Sequence, residues 1–238
     1  MSPDAATSRQ LTPSAPIPVW PRYALPAFAT LAALNLIFEA AGPRIGFDLT
    51  KPLLMPLLAA ALLAQGRPTP PLLLGALLGS TIGDTMLLFG GTWFLVGMAG
   101  FAATHLCYIT LFGRCGVRRD RRRTMAAGAL LYGVVWIVLI DNLLPGVAPG
   151  MRIPITGYSL LLIFMGIHAF AGDRRTRIGG ALFVLSDSMI AGGLAHWHMP
   201  RGTGFAVMAT YILGQYLLVS GLMNLSISAG RRPRRPGP

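Results

Sequence analysis

Charge is what this chain of 238 residues has least of: 12% of its residues are charged, and only eight are acidic against twenty basic. A soluble domain of this length would need more charge to cover its surface. With 53% hydrophobic residues and a mean hydropathy of +0.59, lipid is the better solvent. Cysteine is nearly absent. Cys107 and Cys115, eight positions apart at the inner end of one expected helix, carry no expectation of a disulfide. Without a histidine pattern they do not make a zinc site either, and they read as packing residues. Lysine occurs once, at Lys51. No nucleophile elbow, Walker motif or HExxH is present, which excludes the chemistries those motifs carry. The formal charge of +12 does not point to nucleic acid, because no basic face with interleaved aromatics exists outside the loops.

What remains is a succession of apolar stretches separated by short basic clusters. They read as eight transmembrane helices at about 23–41, 52–65, 70–90, 93–112, 124–140, 153–171, 177–194 and 204–228, an all-α polytopic bundle. Each needs about 20 residues to cross a ~30 Å hydrocarbon core, so the second, near 14, is short unless it borrows the turn around Lys51. Residues 1–22, rich in Pro, Ser, Ala and Thr, read as a disordered tail. Residues 229–238 read as a basic tail. The first apolar segment lies too far along, and is too long, for an ordinary cleaved signal peptide.

With the N-terminus inside, sixteen basic residues fall on the cytoplasmic side and four (Arg44, Lys51, Arg152 and Arg201) on the other. That bias supports eight spans with both termini cytoplasmic, in a multi-pass protein of the cell membrane. The arginine clusters would touch anionic headgroups of the inner leaflet. Trp20 and Trp93 fall at expected interfaces. Gly75, Gly79 and Gly83, four residues apart, form one smooth stripe on the third span, suited to close helix packing.

Four acidic residues lie in or at the edge of spans. Asp141 ends the fifth and reads as a solvated helix end; Glu39, near the outer end of the first, is ambiguous. Asp84 and Asp187 lie deeper, roughly 10 Å below the outer helix ends at 1.5 Å per residue. A carboxylate there is costly unless it faces a cavity or a partner, so both are candidate functional residues. Asn35 lies at similar depth, with His105 and Gln215 somewhat deeper. Tyr108 is one turn past His105, and Tyr211 one turn before Gln215. Lys51 suits a phosphate or carboxylate in a narrow site, or snorkels at the interface. His105 has no second histidine at ligand spacing, so no metal is expected; His168, His196 and His198 are scattered near edges and loops.

Several stretches, in order, resemble the YhhN-like membrane proteins, a family that includes lysoplasmalogenases: KPLLMPLL at 51–58, LLGSTIGDTMLLF at 77–89, HLCYITLF at 105–112, GALFVLSDSMIA at 180–191 and YILGQYLLVSG at 211–221. Spans one, five and six carry no family motif. The resemblance implies an eight-helix fold and, as in characterised members, hydrolysis of the vinyl ether bond of a lysoplasmalogen. The products would be a fatty aldehyde and a glycerophospho-headgroup. It carries the aspartates of the GD and SD motifs onto Asp84 and Asp187 as the catalytic pair. It carries the lysine of KPxxMP onto Lys51, the HxxY pair onto His105 and Tyr108, and the YxxxQ pair onto Tyr211 and Gln215. With Asn35 and Ser188 these form the expected substrate-binding set.

Vinyl ether hydrolysis begins with protonation of the β-carbon, giving an oxocarbenium ion that water traps. A carboxylic acid and a carboxylate can divide that work, without metal or organic cofactor. Lys51, near the outer headgroup region, would hold the substrate phosphate. Two other classes fit an intramembrane carboxylate pair. One is a proton- or cation-coupled small-molecule transporter, although no inverted repeat is visible. The other is a structural or lipid-binding protein whose carboxylates hold helices together.

Overall fold

The computed structural model describes residues 21–42, 44–117 and 121–230. It is built from helices: α1 (Pro21–Ala41), α2 (Arg44–Thr50), a 3-10 turn (Lys51–Leu53), α3 (Leu54–Leu63), α4 (Pro71–Phe89), α5 (Trp93–Arg114), α6 (Arg122–Leu143), α7 (Pro149–Ala171), α8 (Arg174–Leu194) and α9 (Thr203–Gly230). With α2, the turn and α3 taken as one, eight segments are long and apolar enough to cross a membrane. This is an integral, multi-pass membrane protein. The tails read at 1–22 and 229–238 lie almost wholly outside the described residues, as does Trp20; α1 is already helical at Pro21 and α9 runs to Gly230.

Local chemistry sets many of the boundaries. Pro71 and Pro149 open α4 and α7, where a missing N–H costs nothing. Asp173 caps α8, its carboxylate accepting from Thr176 N at 2.8 Å. Glycines with positive φ end the runs at Gly42, Gly66 and Gly90.

The second span departs from the sequence reading. It begins at Arg44 rather than near residue 52, and covers 20 residues. RIGFDLT is helical, and at its end Thr50 folds its hydroxyl back to donate to Gly46 O at 2.7 Å. Pro52 then removes a backbone donor, so the helix tightens into a 3-10 turn at Lys51 instead of running straight into α3.

Around the bundle, α1 packs on α3, α3 on α4, α4 on α5, α5 on α7, α7 on α8, α8 on α9 and α9 back on α1. Seven segments thus close a ring, and α9 also reaches across it to α4 and α5. The eighth, α6, rides outside on α7. Its Leu130, Leu131, Val134, Ile137 and Val138 are exposed, a surface that only lipid can cover without penalty.

Two glycine seams bring backbones together. At Gly79 on α4 a methyl group would lie 2.7 Å from Gly100 O on α5, and at Gly179 on α8 one would lie 2.8 Å from Gly214 O on α9. The stripe expected on α4 therefore does face a neighbour, and α8 carries a second seam that the sequence reading missed. Within the stripe the positions differ: Gly75 meets only Cys107 Sγ, at 3.4 Å. Gly79→Ala should destabilise the protein by about 1–3 kcal/mol through overpacking, whereas Gly75→Ala should be neutral or slightly stabilising. Thermal unfolding of the two variants in one detergent checks the contrast; equal midpoints would show that α4 and α5 are not in backbone contact.

Candidate active site

Two hydrogen-bonded chains of polar side chains run inside the ring. The first is centred on Asp84, which is 1% exposed. Tyr211, from α9, donates its hydroxyl to Asp84 Oδ2 at 2.7 Å, and Lys51 Nζ stands 3.9 Å from Oδ1. The 3-10 turn at Pro52 delivers that ammonium, which also lies over the Phe47 ring, 5.6 Å from its centroid. One turn along α9, Gln215 serves three neighbours. Its Oε1 accepts from Tyr108 at 2.6 Å, and its Nε2 donates to Ser80 Oγ at 2.7 Å and, at 3.5 Å, to Tyr211. Ser80 is 3.0 Å from Thr104, whose hydroxyl donates to Ala76 O at 2.9 Å. Residues from four segments are tied together with every hydroxyl and amide proton used in sequence.

The second chain is centred on Asp187 of α8. Tyr158 of α7 donates its hydroxyl to Asp187 Oδ2, and the Tyr158 oxygen lies 3.2 Å from His105 Nε2 on α5. Because the tyrosine proton is committed to the carboxylate, its oxygen accepts from His105. That assigns the proton to Nε2 and leaves Nδ1 as a bare acceptor. His105 is fully buried, and Nδ1 has no hydrogen-bond partner among the described residues.

An aromatic trio separates the chains. Phe101, Phe183 and Tyr211 meet edge to face in all three pairings, with centroids 5.6–6.2 Å apart, and His105 packs edge-on to Phe183 at 5.0 Å. Asp84 and Lys51 both remain within electrostatic range of Asp187.

Asp187 opens into a narrow, partly open cavity of about 90 Å³ on the Arg-poor side of the bundle, walled by α4, α5, α6, α7 and α8. The lining is nearly all apolar, including Leu87, Phe101, Trp136, Leu162 and Val184, and Asp187 is its one charged member. Asp84 does not line it. α6 makes little contact with α4 or α5, so the sparsely packed side of this cavity lies between α5 and α6.

Of the residues singled out in the sequence, Lys51, Asp84, Tyr108, Tyr211 and Gln215 come together in the first chain, and His105 and Asp187 in the second. Ser188 also lines the cavity, but its hydroxyl is returned to Val184 O at 2.7 Å. Asn35 joins neither chain. It donates to Thr50 Oγ1 at 2.9 Å, bracing α1 against the residue before Lys51, and its Oδ1 has no hydrogen-bond partner among the described residues. Glu39 lies against Gly204 at the start of α9, and Asp141 is exposed at the end of α6. Cys107 and Cys115 are free. No cluster of three His, Cys, Asp or Glu that could hold a metal occurs among the described residues. Tyr158, Ser80 and Thr104 were missed. Tyr158 was within reach of the rule that flagged the aspartates, since Tyr158 and Ser159 form a polar pair inside an otherwise apolar stretch.

The profile of the YhhN family matches residues 46–222, a stretch containing every residue of both chains. Lysoplasmalogenase TMEM86B of Sus scrofa is 32% identical over 160 residues, 67% of this chain and 64% of that protein. The Homo sapiens protein of the same name is 30% identical over 153 residues, 62% of this chain and 61% of its own length. Lysoplasmalogenase TMEM86A of Bos taurus is 28% identical over 165 residues, covering 64% and 65%. The chain thus spans slightly less than two thirds of the length of these curated relatives. No solved structure matches it.

The first chain makes a stability prediction. Gln215→Leu leaves the Tyr108 hydroxyl and Ser80 without their partner in a dry interior, at a cost of about 1–3 kcal/mol for each group. In that background Tyr108→Phe should cost less than it does alone, because the hydroxyl it removes is already unpaired. A double-mutant cycle in detergent reads this coupling, and additive losses would mean the two side chains do not interact.

Proposed function

The chain belongs to the YhhN family, and on that footing we propose that it is a membrane-embedded hydrolase cleaving the vinyl ether bond of a lysoplasmalogen-type lysophospholipid to a fatty aldehyde and a glycerophospho-headgroup. The relatives named lysoplasmalogenase support the reaction. The observation that carries it to particular residues is the single carboxylate on the wall of an apolar cavity: Asp187 is the acid that a hydrocarbon chain lying there would meet.

In this reading Asp187 gives a proton to the β-carbon of the vinyl ether. Its Oδ2 is held by Tyr158, which leaves Oδ1 for the substrate. Protonation moves the π electrons to the new C–H bond and leaves an oxocarbenium ion, which the resulting carboxylate stabilises. Water adds to the cation and returns a proton to Asp187. The hemiacetal then collapses: Asp187 protonates the glycerol oxygen as its C–O bond breaks, and the hemiacetal hydroxyl gives up its proton to the resulting carboxylate as the aldehyde forms. Asp84, neutralised by Lys51 beside it, acts behind the aromatic trio by fixing the Tyr211 ring that belongs to it. Tyr158 is a positioning residue and His105 orients Tyr158. Lys51 was expected on the substrate phosphate; its ammonium at 3.9 Å from Asp84 supports the role of counter-ion instead.

The Arg-rich ends, with Arg67, Arg114, Arg121 and Arg175 among them, face the cytoplasm and anionic inner-leaflet headgroups. The cavity then opens toward the outer half of the cell membrane.

Purified protein given a lysoplasmalogen should release aldehyde. Asp187→Asn should lower kcat by about 10²–10⁴-fold, the usual worth of a general acid, with Asp84→Asn also slower and both variants folded. Absence of release by the unmodified protein above the Asn variants would overturn the hydrolase reading. Orientation is read separately. In a chain with Cys107 and Cys115 replaced, His198→Cys should react with an impermeant maleimide on intact cells and Arg67→Cys should not; the opposite pattern would invert the topology.

A further inference from the structure

The cavity at Asp187 carries five polar side chains on its wall: Trp136, Tyr158, Ser159, Asp187 and Ser188. In so apolar a hollow each donor and acceptor can be followed to its partner. The Trp136 indole, which can only donate, gives its proton to Ser159 Oγ at 2.9 Å, and Ser159 donates onward to Thr156 O at 2.9 Å. Tyr158 donates to Asp187 Oδ2 and accepts from His105 Nε2 at 3.2 Å. Those three side chains have their partners. Ser188 has only half of its own. Its proton goes to Val184 O, one turn back on the same helix, at 2.7 Å, and no donor among the described residues reaches its oxygen. Asp187 Oδ1 accepts no hydrogen bond among them either.

These two open acceptors are neighbours. From α8 the wall takes Val184, Asp187, Ser188, Ala191 and Leu194, the spacing of a single helical face. Asp187 and Ser188 share one level of that stripe and are both half-buried. The next level outward is Ala191, whose side chain is a single methyl. A water molecule among apolar groups needs at least two polar partners to be held. Two acceptors take both of its protons and leave its lone pairs turned into the cavity, which is the orientation of a nucleophile.

We propose that Ser188 is the positioning residue for the water that captures the oxocarbenium ion. Ser188 Oγ accepts one proton of that water and, once Asp187 has protonated the β-carbon, Asp187 Oδ1 accepts the other. The proposal rests on the hydrolase reading of this cavity and adds the group that governs its second step. A lone pair of the water oxygen forms the bond to the α-carbon, the π electrons of the oxocarbenium return to the ether oxygen, and the released proton goes to Asp187 Oδ1. Acid and water-holder stand side by side, so proton and water reach adjacent carbons from one face. Without Ser188 the cation waits longer beside the new carboxylate, which can take a proton back from the β-carbon and regenerate the vinyl ether.

The test reads that partition. The full chain in nanodiscs is given an alkenyl lysophosphocholine in heavy water, the reaction is stopped part-way, and the recovered substrate is analysed by mass spectrometry. Asp187 now delivers deuterium, and return of the cation by loss of the original hydrogen leaves deuterium on the β-carbon. Unmodified protein should release aldehyde and give back substrate with little label. Ser188→Ala should release aldehyde about tenfold more slowly, as expected for the loss of one hydrogen bond, and give back more label per aldehyde formed. Ser188→Thr, which keeps the hydroxyl, should restore both, and Ser188→Cys, with a weaker acceptor, should fall between them. Label per aldehyde is a ratio and does not depend on how much of a variant is folded; if Ser188→Ala does not fold, the contrast of Thr with Cys carries the same reading. Slower release without added label overturns the role, as do an unchanged rate and label, and in both cases aldehyde from the unmodified protein leaves the hydrolase standing. Neither aldehyde nor label from the unmodified protein removes the hydrolase, and this role with it.

Discussion

A carboxylate inside a lipid-solvated bundle has to be compensated or it destabilises everything around it, and much of this fold can be understood as the answer to Asp84. That answer needs two long-range partners. Tyr211 comes from the last helix and Lys51 from a break in the second span. Neither arrives by local geometry. Pro52 interrupts the helix where the ammonium must turn inward, and Asn35 holds the residue before it through Thr50. On the other side, Gln215 fixes α9 to α4 and α5, so the helix that carries Tyr211 has little freedom to rotate.

The glycine seams serve the same end. Backbone contact between α4 and α5, and between α8 and α9, makes two tight hairpins whose side chains must then meet in the middle. There the edge-to-face trio of Phe101, Phe183 and Tyr211 fills the gap. The rings keep the two carboxylates from sharing one wet pocket while leaving each within the field of the other. Small residues at the seams and large ones at the centre are two halves of one packing solution.

Much of this was legible in the chain. Long apolar runs and clustered arginines are strong signals, and eight segments stand where they were expected, with ends shifted by a few residues. The second span is the exception. Arg44, Asp48 and Lys51 in one short stretch look like loop, whereas the helix there keeps Arg44 and Asp48 on its outer face as a pair at 3.3 Å. Intramembrane polarity found the aspartates, Lys51, His105, Tyr211 and Gln215. The same rule reached Asn35, and the SD motif brought in Ser188; that one bonds a neighbouring turn and the other its own helix could not be read, since such a side chain looks no different in sequence from one that faces a site. Tyr158 escaped because it lies in the sixth span, which carries neither a family motif nor a charged residue at that depth. The cavity could not be read at all: leucines and valines that line a hollow are indistinguishable from those that face lipid.

That ambiguity has a counterpart in the standing of α6. The closed ring carries both hydrogen-bonded chains and the aromatic centre, while α6 lies outside it and supplies one wall of the cavity. Its residues join neither hydrogen-bonded chain, although Trp136 donates to Ser159 Oγ on α7 at 2.9 Å and Leu143 is buried. Leu139 and Ile140, which make no such contact, can therefore change size without dislodging Asp187, Tyr158 or His105. On the proposed reading, the acid and the wall that would meet a hydrocarbon belong to separable parts of the chain, so the length of chain accepted can change while Asp187 and its partners stay put.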